Sequence, residues 1–293
     1  MAGRSEHTSR DAALLSTAFS RSVFRALGSP NVAPLPAGLA RVSDLGRDDP
    51  SLSLADAFDR ALEVTAQLYR SEYYYKNTIV SRIVFGRHSP KTAAPLLEVR
   101  AGRSIADVVV LNGTSTAYEI KTDYDDYSRL SVQLADYSRC FERTYVVVSP
   151  RRAAAALAAV PGHVGVISVN RRGSMSEERP AESDPDRLKH SALFGLLHRA
   201  ETLRVLARTL GYVVDVPPAD LWGRTRDLFS ALPIEFAHSQ VVTELRERGR
   251  QSAAVAESMP VSLRAMAYDV PLNSAAGVRI TRRLTRPASA LLV

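Results

Sequence analysis

The spacing of apolar residues changes several times along the chain, and each change marks an element. Over residues 12–27 the pattern predicts one helix, ended by Gly28 and Pro30 and followed by a Pro/Gly-rich connector. From Ser53, Phe58, Leu62 and Leu68 recur at helical spacing; the helix is expected to continue or restart at Ser71 and to close at Gly86, with Pro90 beyond. The period then shortens. LLEVR (96–100), SIADVVVL (104–111) and TAYEIK (116–121) are β-prone runs separated by Ala101-Gly102 and Asn112-Gly113, which predicts a three-stranded antiparallel meander. Helical spacing returns with Tyr127, Leu130, Leu134, Tyr137 and Phe141, for which Asp125 or Asp126 could supply the cap. TYVVVS (144–149) reads as a strand buried on both faces, and an alanine-rich helix near 151–160 and the strand VGVISV (164–169) follow.

These elements define a core over residues 53–170, preceded by a helical extension (1–52). Residues 171–187 are polar with two prolines and are expected to be a linker. Residues 188–210, 220–232 and 234–248 predict helices, so 188–293 is expected to be a helical C-terminal domain. After Asp269 come Arg279, Arg282, Arg283 and Arg286 without an acid, which suits a solvated tail or a phosphate clamp.

Composition narrows the function classes. The apolar runs are interrupted by charges well short of the roughly 20 residues needed to span a bilayer, so no membrane partner is expected, and the N-terminal residues show no signal-peptide pattern. Cys140 is the one cysteine, which excludes an intramolecular disulfide and a CxxC-type zinc site and is consistent with the cytoplasm. The six histidines show no HxxxH or HxH spacing, and no Walker A or GxSxG sequence is present. The net charge of +7 favours polyanionic partners.

Candidate chemistry gathers at YEIK. Residues two apart on a strand share a face, so Glu119 and Lys121 are expected to point one way and Ile120 into the core. Asp107 joins them only in one hairpin register. A three-residue loop pairing Leu111 with Ser115 sets Asp107 opposite Glu119, whereas a two-residue loop sends it to the other face. Two converging carboxylates call for a cation, and oxygen donors favour Mg2+ or Mn2+; the Ile120 carbonyl could supply a third ligand. Lys121 would then hold or deprotonate the attacking water and offset charge on a phosphorane. The bland alternative is an exposed ion pair worth well under about 1 kcal/mol.

The arrangement resembles the PD-(D/E)XK nuclease superfamily, over residues 54–170. The matching motif is Asp107, then eleven residues, then Glu119-Ile120-Lys121; Gln133-Leu134-Ala135-Asp136-Tyr137 looks like the QxxxY element of the exonuclease branch related to RecB. SEYYYKN, the block from Leu96 to Leu130 and the later YVVV are similar to a poorly characterised set of bacterial and prophage-associated nuclease-like proteins. The position before Asp107 holds Ile105-Ala106, where the superfamily motif has proline.

The resemblance implies a restriction-endonuclease-like αβββαβ core with a mixed sheet. It also implies an Mg2+- or Mn2+-dependent phosphodiesterase acting on nucleic acid, with DNA the expected substrate and a role in defence or a mobile element. Asp107, Glu119, Lys121 and Gln133 are the expected catalytic set, and Glu72 and Glu98 are further candidate metal ligands. A helix N-terminus explains Glu72 equally well, and a strand-surface pair with Arg100 explains Glu98. Arg100, Arg103, Arg129 and the Tyr137 hydroxyl are candidate nucleic-acid contacts. The alternative is a catalytically silent member that binds nucleic acid or a partner protein. A homo-oligomer, or a partner docked on the C-terminal helices, is a further expectation.

Overall fold

The computed structural model describes residues 8–47 and 49–291. The chain opens with α1 (Ser9–Ser16), α2 (Arg21–Gly28), α3 (Ala37–Asp44), α4 (Leu54–Leu68) and α5 (Glu72–Ile79), the last continued by a π-helical stretch over Val80–Arg87. The meander β1 (Ala94–Ala101), β2 (Ser104–Leu111) and β3 (Ser115–Lys121) precedes α6 (Leu130–Ser138), β4 (Arg143–Val148), α7 (Ala153–Ala159), β5 (Gly165–Val169) and β6 (Met175–Arg179). Then follow α8 (His190–Leu196), α9 (Arg199–Leu210), α10 (Leu221–Ser230), α11 (Ile234–Arg250), α12 (Ala253–Glu257), α13 (Arg264–Asp269) and α14 (Ser274–Leu284).

Two compact units interleave in sequence. One comprises Met1–Arg87, Val169–Ser174 and Ser252–Val293, the other His88–Ser168 and Met175–Gln251. The helices after residue 187 therefore do not form one domain. The segment read as a linker contains β6, and residues 252–291 belong with the N-terminal helices.

The first unit is helical. The helix expected over 12–27 is broken because Ser16 and Thr17 turn their hydroxyls back onto the Ala13 and Leu14 carbonyls, 2.7 and 2.6 Å, ending α1 before Ser20 starts α2. The basic tail is only partly solvated, with Arg282 and Arg286 exposed and Arg279 and Arg283 half-buried. It forms α14, from which Arg279 Nε donates to Gly28 O (2.6 Å) and Arg283 Nη1 to Leu27 O and Ser29 O (both 2.6 Å). These arginines thus satisfy the carbonyls that α2 leaves open at its C-terminus.

The second unit is built on a mixed six-stranded sheet in the order β1-β2-β3-β4-β5-β6. β1, β2 and β3 run antiparallel, while β4 and β5 continue in parallel with β3 and each other, as their helical crossovers α6 and α7 require. Val109, Leu111, Ala117, Val146, Val148 and Val166 form one face of the core with Leu130, Leu134 and Tyr137 of α6 and with residues of α8, α9 and α11. Gly249 of α11 allows close approach to β1, since a Cβ there would lie 2.8 Å from Pro95 O. The expected helix over 188–210 is interrupted at His198, whose extended backbone starts α9 with Glu201 closing a capping box.

Candidate active site on the sheet

The β2–β3 hairpin adopts the register in which Leu111 faces Ser115, so Asn112, Gly113 and Thr114 form a three-residue loop. Asn112 N–H bonds Thr114 O at 3.1 Å, and Gly113 takes a φ of 98°, which a side chain would resist. This register carries Asp107 to the position facing Glu119, one step beyond the last regular pair, Val108 with Tyr118. Asp107 Oδ2 accepts the Ile120 N–H at 2.7 Å, so the carboxylate is tied to the YEIK strand itself.

Glu119 and Lys121 lie beside Val146 and Val148 of β4, on the face covered by α6. Both are buried, with side-chain exposures of 3% and 11%. Ile120 is buried too but belongs to the opposite face, so the expectation of a polar side set against a single core side is replaced by two buried faces. Burial of the pair is compensated. Lys121 Nζ donates to Glu119 Oε1 (2.9 Å) and to Gln133 Oε1 (3.0 Å), while the Tyr137 hydroxyl lies 2.6 Å from Glu119 Oε2 and from Ile105 O. Gln133 and Tyr137 are one helical turn apart on α6, which is how one helix reaches both members of the ion pair. Burial, reinforced by the neighbouring Glu119 charge, pushes the Tyr137 phenol far above its usual range, so it remains a donor.

Glu98 introduces strain beside Asp107. Its φ is 55°, in the left-handed region, and the regular β1–β2 pairing skips the Glu98 and Asp107 positions between Leu97–Val108 and Val99–Ala106. The Glu98 and Asp107 carboxylate oxygens lie within 4.8 Å of one another. Two hard oxygen donors so placed fit a small divalent cation.

Glu72 starts α5 in the first unit, where it pairs with Lys76 one turn later. Arg100, Arg103 and Arg129 are exposed side chains of the second unit. Asp125 and Asp126 do not cap α6, whose N-cap position is Arg129. Asp125 Oδ2 instead accepts from Thr122 N and Oγ1 (both 2.7 Å), and Asp126 Oδ1 accepts from Ser128 N at 2.8 Å. Sequence reasoning missed Arg152. Its Nη1 donates to Thr122 O (2.7 Å) and Asp125 O (2.5 Å), with the guanidinium 4.6 Å above the Tyr127 ring, so it shapes the loop after the lysine. It also missed Asp136, which accepts from Ser104 Oγ (2.8 Å) and Arg103 N (3.2 Å) and fastens α6 to the β1–β2 turn.

Comparison with known proteins is sparse. A solved structure, the SPO1766 protein of unknown function from Silicibacter pomeroyi, is 18% identical and aligns over 43% of this chain and 87% of its own, with a TM-score of 0.29. Protein cII of Enterobacteria phage P4 is 33% identical over 69 residues, which are 24% of this chain. The match spans 26% of that phage protein, about a quarter of its length. The family model described as Bacteriophage P4 protein cII matches residues 65–261, well over half of the chain and including every element of the sheet, and the chain therefore belongs to the bacteriophage P4 protein cII family.

Proposed function

We propose that this protein is a metal-dependent nuclease of the PD-(D/E)XK type, with a restriction-endonuclease-like core. One observation carries the reading. The three-residue hairpin loop selects the register that brings Asp107 to the Glu119-Ile120-Lys121 strand, while α6 supplies Gln133 and Tyr137 to the same buried group. A strand-surface ion pair needs none of these additional partners.

In this reading Asp107 and Glu98 are the primary ligands, because their oxygens already converge within 4.8 Å. Glu119 would be a further ligand, since the Tyr137 hydroxyl has a second acceptor in Ile105 O at 2.6 Å and need not occupy Glu119 Oε2. A bound Mg2+ or Mn2+ supplies Lewis acidity toward a phosphate and lowers the pKa of a coordinated water. Lys121 holds the attacking water and offsets charge on the phosphate oxygens, and Gln133 keeps the ammonium aimed. DNA is the proposed substrate, on the net charge of +7 and the exposed Arg100, Arg103 and Arg129.

A silent binding protein is the rival, and one observation favours it: both Glu119 oxygens already have partners, Lys121 and Tyr137. Cleavage of plasmid and linear DNA with Mg2+, Mn2+ or EDTA separates the two. The nuclease reading requires EDTA-sensitive cleavage that Lys121→Ala and Asp107→Asn abolish. Wild-type protein that cuts neither DNA nor RNA with either metal, yet binds them, would establish the rival.

A further inference from the structure

The first unit contains a cleft of about 810 Å3 lined by α4, α5 with its π-helical continuation, and the 171–173 loop. That is the size of a small-molecule site, for which about 300–1,000 Å3 is usual. Its apolar wall comes from Leu62, Val64 and Val261. Its charge comes from Arg82, Arg171, Arg172 and Arg264, against Glu63 as the sole acid among the lining residues. Arg82, Arg171 and Arg172 are exposed at the rim and Arg264 is half-buried.

Two lining residues carry buried polar atoms that no partner satisfies, Ser81 Oγ and Arg264 Nε. An unpaired buried guanidinium N–H is costly and calls for an acceptor. The Arg264 guanidinium is fixed in place 4.3 Å above the Phe85 ring, and burial pulls its pKa below the ordinary range despite nearby Asp59. Arg82 is fixed as well, with Nε donating to Gly173 O at 3.1 Å. Charge excess, an unsatisfied donor and an apolar wall converge on one cleft.

We propose that this cleft binds an organic phosphate of nucleotide size, with its phosphate on the arginines and its base or other apolar body on the Leu62, Val64 and Val261 wall. Guanidinium groups match phosphate oxygens in pairs, and four of them suit a dianion better than a single carboxylate. The source is either a free nucleotide or the terminal nucleotide of a strand. The proposal does not rest on the nuclease reading, because it uses none of that site's residues.

Titration calorimetry on the full chain in EDTA tests it, with dAMP, inorganic phosphate, and a tetradeoxynucleotide with and without a 5′-phosphate. EDTA removes metal-dependent steps, so failure here and failure of the nuclease reading remain separable. Saturable binding of dAMP supports a free nucleotide; binding confined to the 5′-phosphorylated tetranucleotide supports a strand end. In either case Arg171→Glu/Arg172→Glu, altered only at exposed side chains, should weaken binding by at least about tenfold. Arg264→Lys, which keeps the charge and removes the planar donor fork, should weaken it as well, with thermal melts confirming that both variants fold. Absence of binding by dAMP and both oligonucleotides, inorganic phosphate bound as tightly as dAMP, or affinity unchanged in the double variant would overturn the proposal.

Discussion

Replacing Lys121 by Met probes the buried group most directly, because it keeps an unbranched apolar stem of similar length and removes the ammonium. Glu119, 3% exposed, would then lose the Nζ contact at 2.9 Å, and Gln133 Oε1 the one at 3.0 Å. Removing one partner of a buried pair leaves an uncompensated charge, which typically costs about 3–5 kcal/mol. Tyr137 still donates to Glu119 Oε2, so we expect the lower end, about 3 kcal/mol. Adding Glu119→Gln removes the stranded charge, and the amide it introduces retains an oxygen for Tyr137. The double variant should therefore recover about 2 kcal/mol relative to Lys121→Met alone, a coupling that only contacting residues show. Urea unfolding followed by Trp222 fluorescence is the assay, since the chain's one tryptophan lies on α10 in the unit that holds the site. A single variant within about 0.5 kcal/mol of wild type, or effects of the two substitutions that simply add, would refute the claim that the pair is buried and mutually dependent.

Three further outcomes are expected. Glu98→Gly should raise stability by about 1 kcal/mol, because glycine adopts the φ of 55° without the Cβ clash. It should also weaken Mn2+ binding measured by calorimetry; unchanged stability would remove the strain argument. Gly165→Ala should destabilise by about 2 kcal/mol or more, since a Cβ would stand 2.3 Å from the Tyr145 ring and 2.7 Å from Ala181 N. That ring cannot easily yield, as it stacks on Tyr118 at 5.6 Å and its hydroxyl donates to Glu177 Oε1 at 2.6 Å, so a wild-type melting temperature would contradict the packing. His238 is buried against Ser115 Oγ at 2.8 Å, and burial lowers its pKa from the ordinary 6.5, with Glu142 opposing. The unfolded chain then binds more protons, so this contribution is complete above about pH 6.5 and is lost as pH falls toward the depressed folded value. Urea midpoints at pH 7.5 and 5.5 should differ less in His238→Gln than in wild type; equal differences would refute the assignment.

The sheet was largely legible in the sequence because its signal is local. Period-two runs and turn dipeptides mark β1 to β3, and a β-branched run flanked by helical spacing marks β4. The register was not decided locally. Asn112-Gly113 suits a two-residue turn as well, and the choice of three residues is settled by pairing along the whole hairpin. Burial of Glu119 was likewise invisible, because the compensating groups come from Gln133 and Tyr137 on the next helix. The interleaving of units was beyond any local pattern: the carbonyls of α2 that Arg279 and Arg283 satisfy lie about 250 residues away in the chain. Glu98 carries no signal at all, since glutamate is not a residue type that marks a left-handed backbone.

Strain at Glu98 and the sharing of one proton at Tyr137 fit together physically. The Tyr137 hydroxyl lies 2.6 Å from two acceptors and can donate to only one of them at a time. With the phenol held protonated by burial, donation to Ile105 O leaves Glu119 Oε2 as a buried acceptor without a donor, beside a half-buried Asp107 whose Oδ2 holds the Ile120 amide. The hairpin register brings Asp107 to the position facing Glu119. The left-handed backbone at Glu98 sets its carboxylate within 4.8 Å of that of Asp107, at a backbone cost of about 1–3 kcal/mol. Under the proposed nuclease reading that cost has a use: a divalent cation held by Glu98 and Asp107, with Glu119 as a further ligand, would account for a chain that keeps a strained glutamate beside an aspartate.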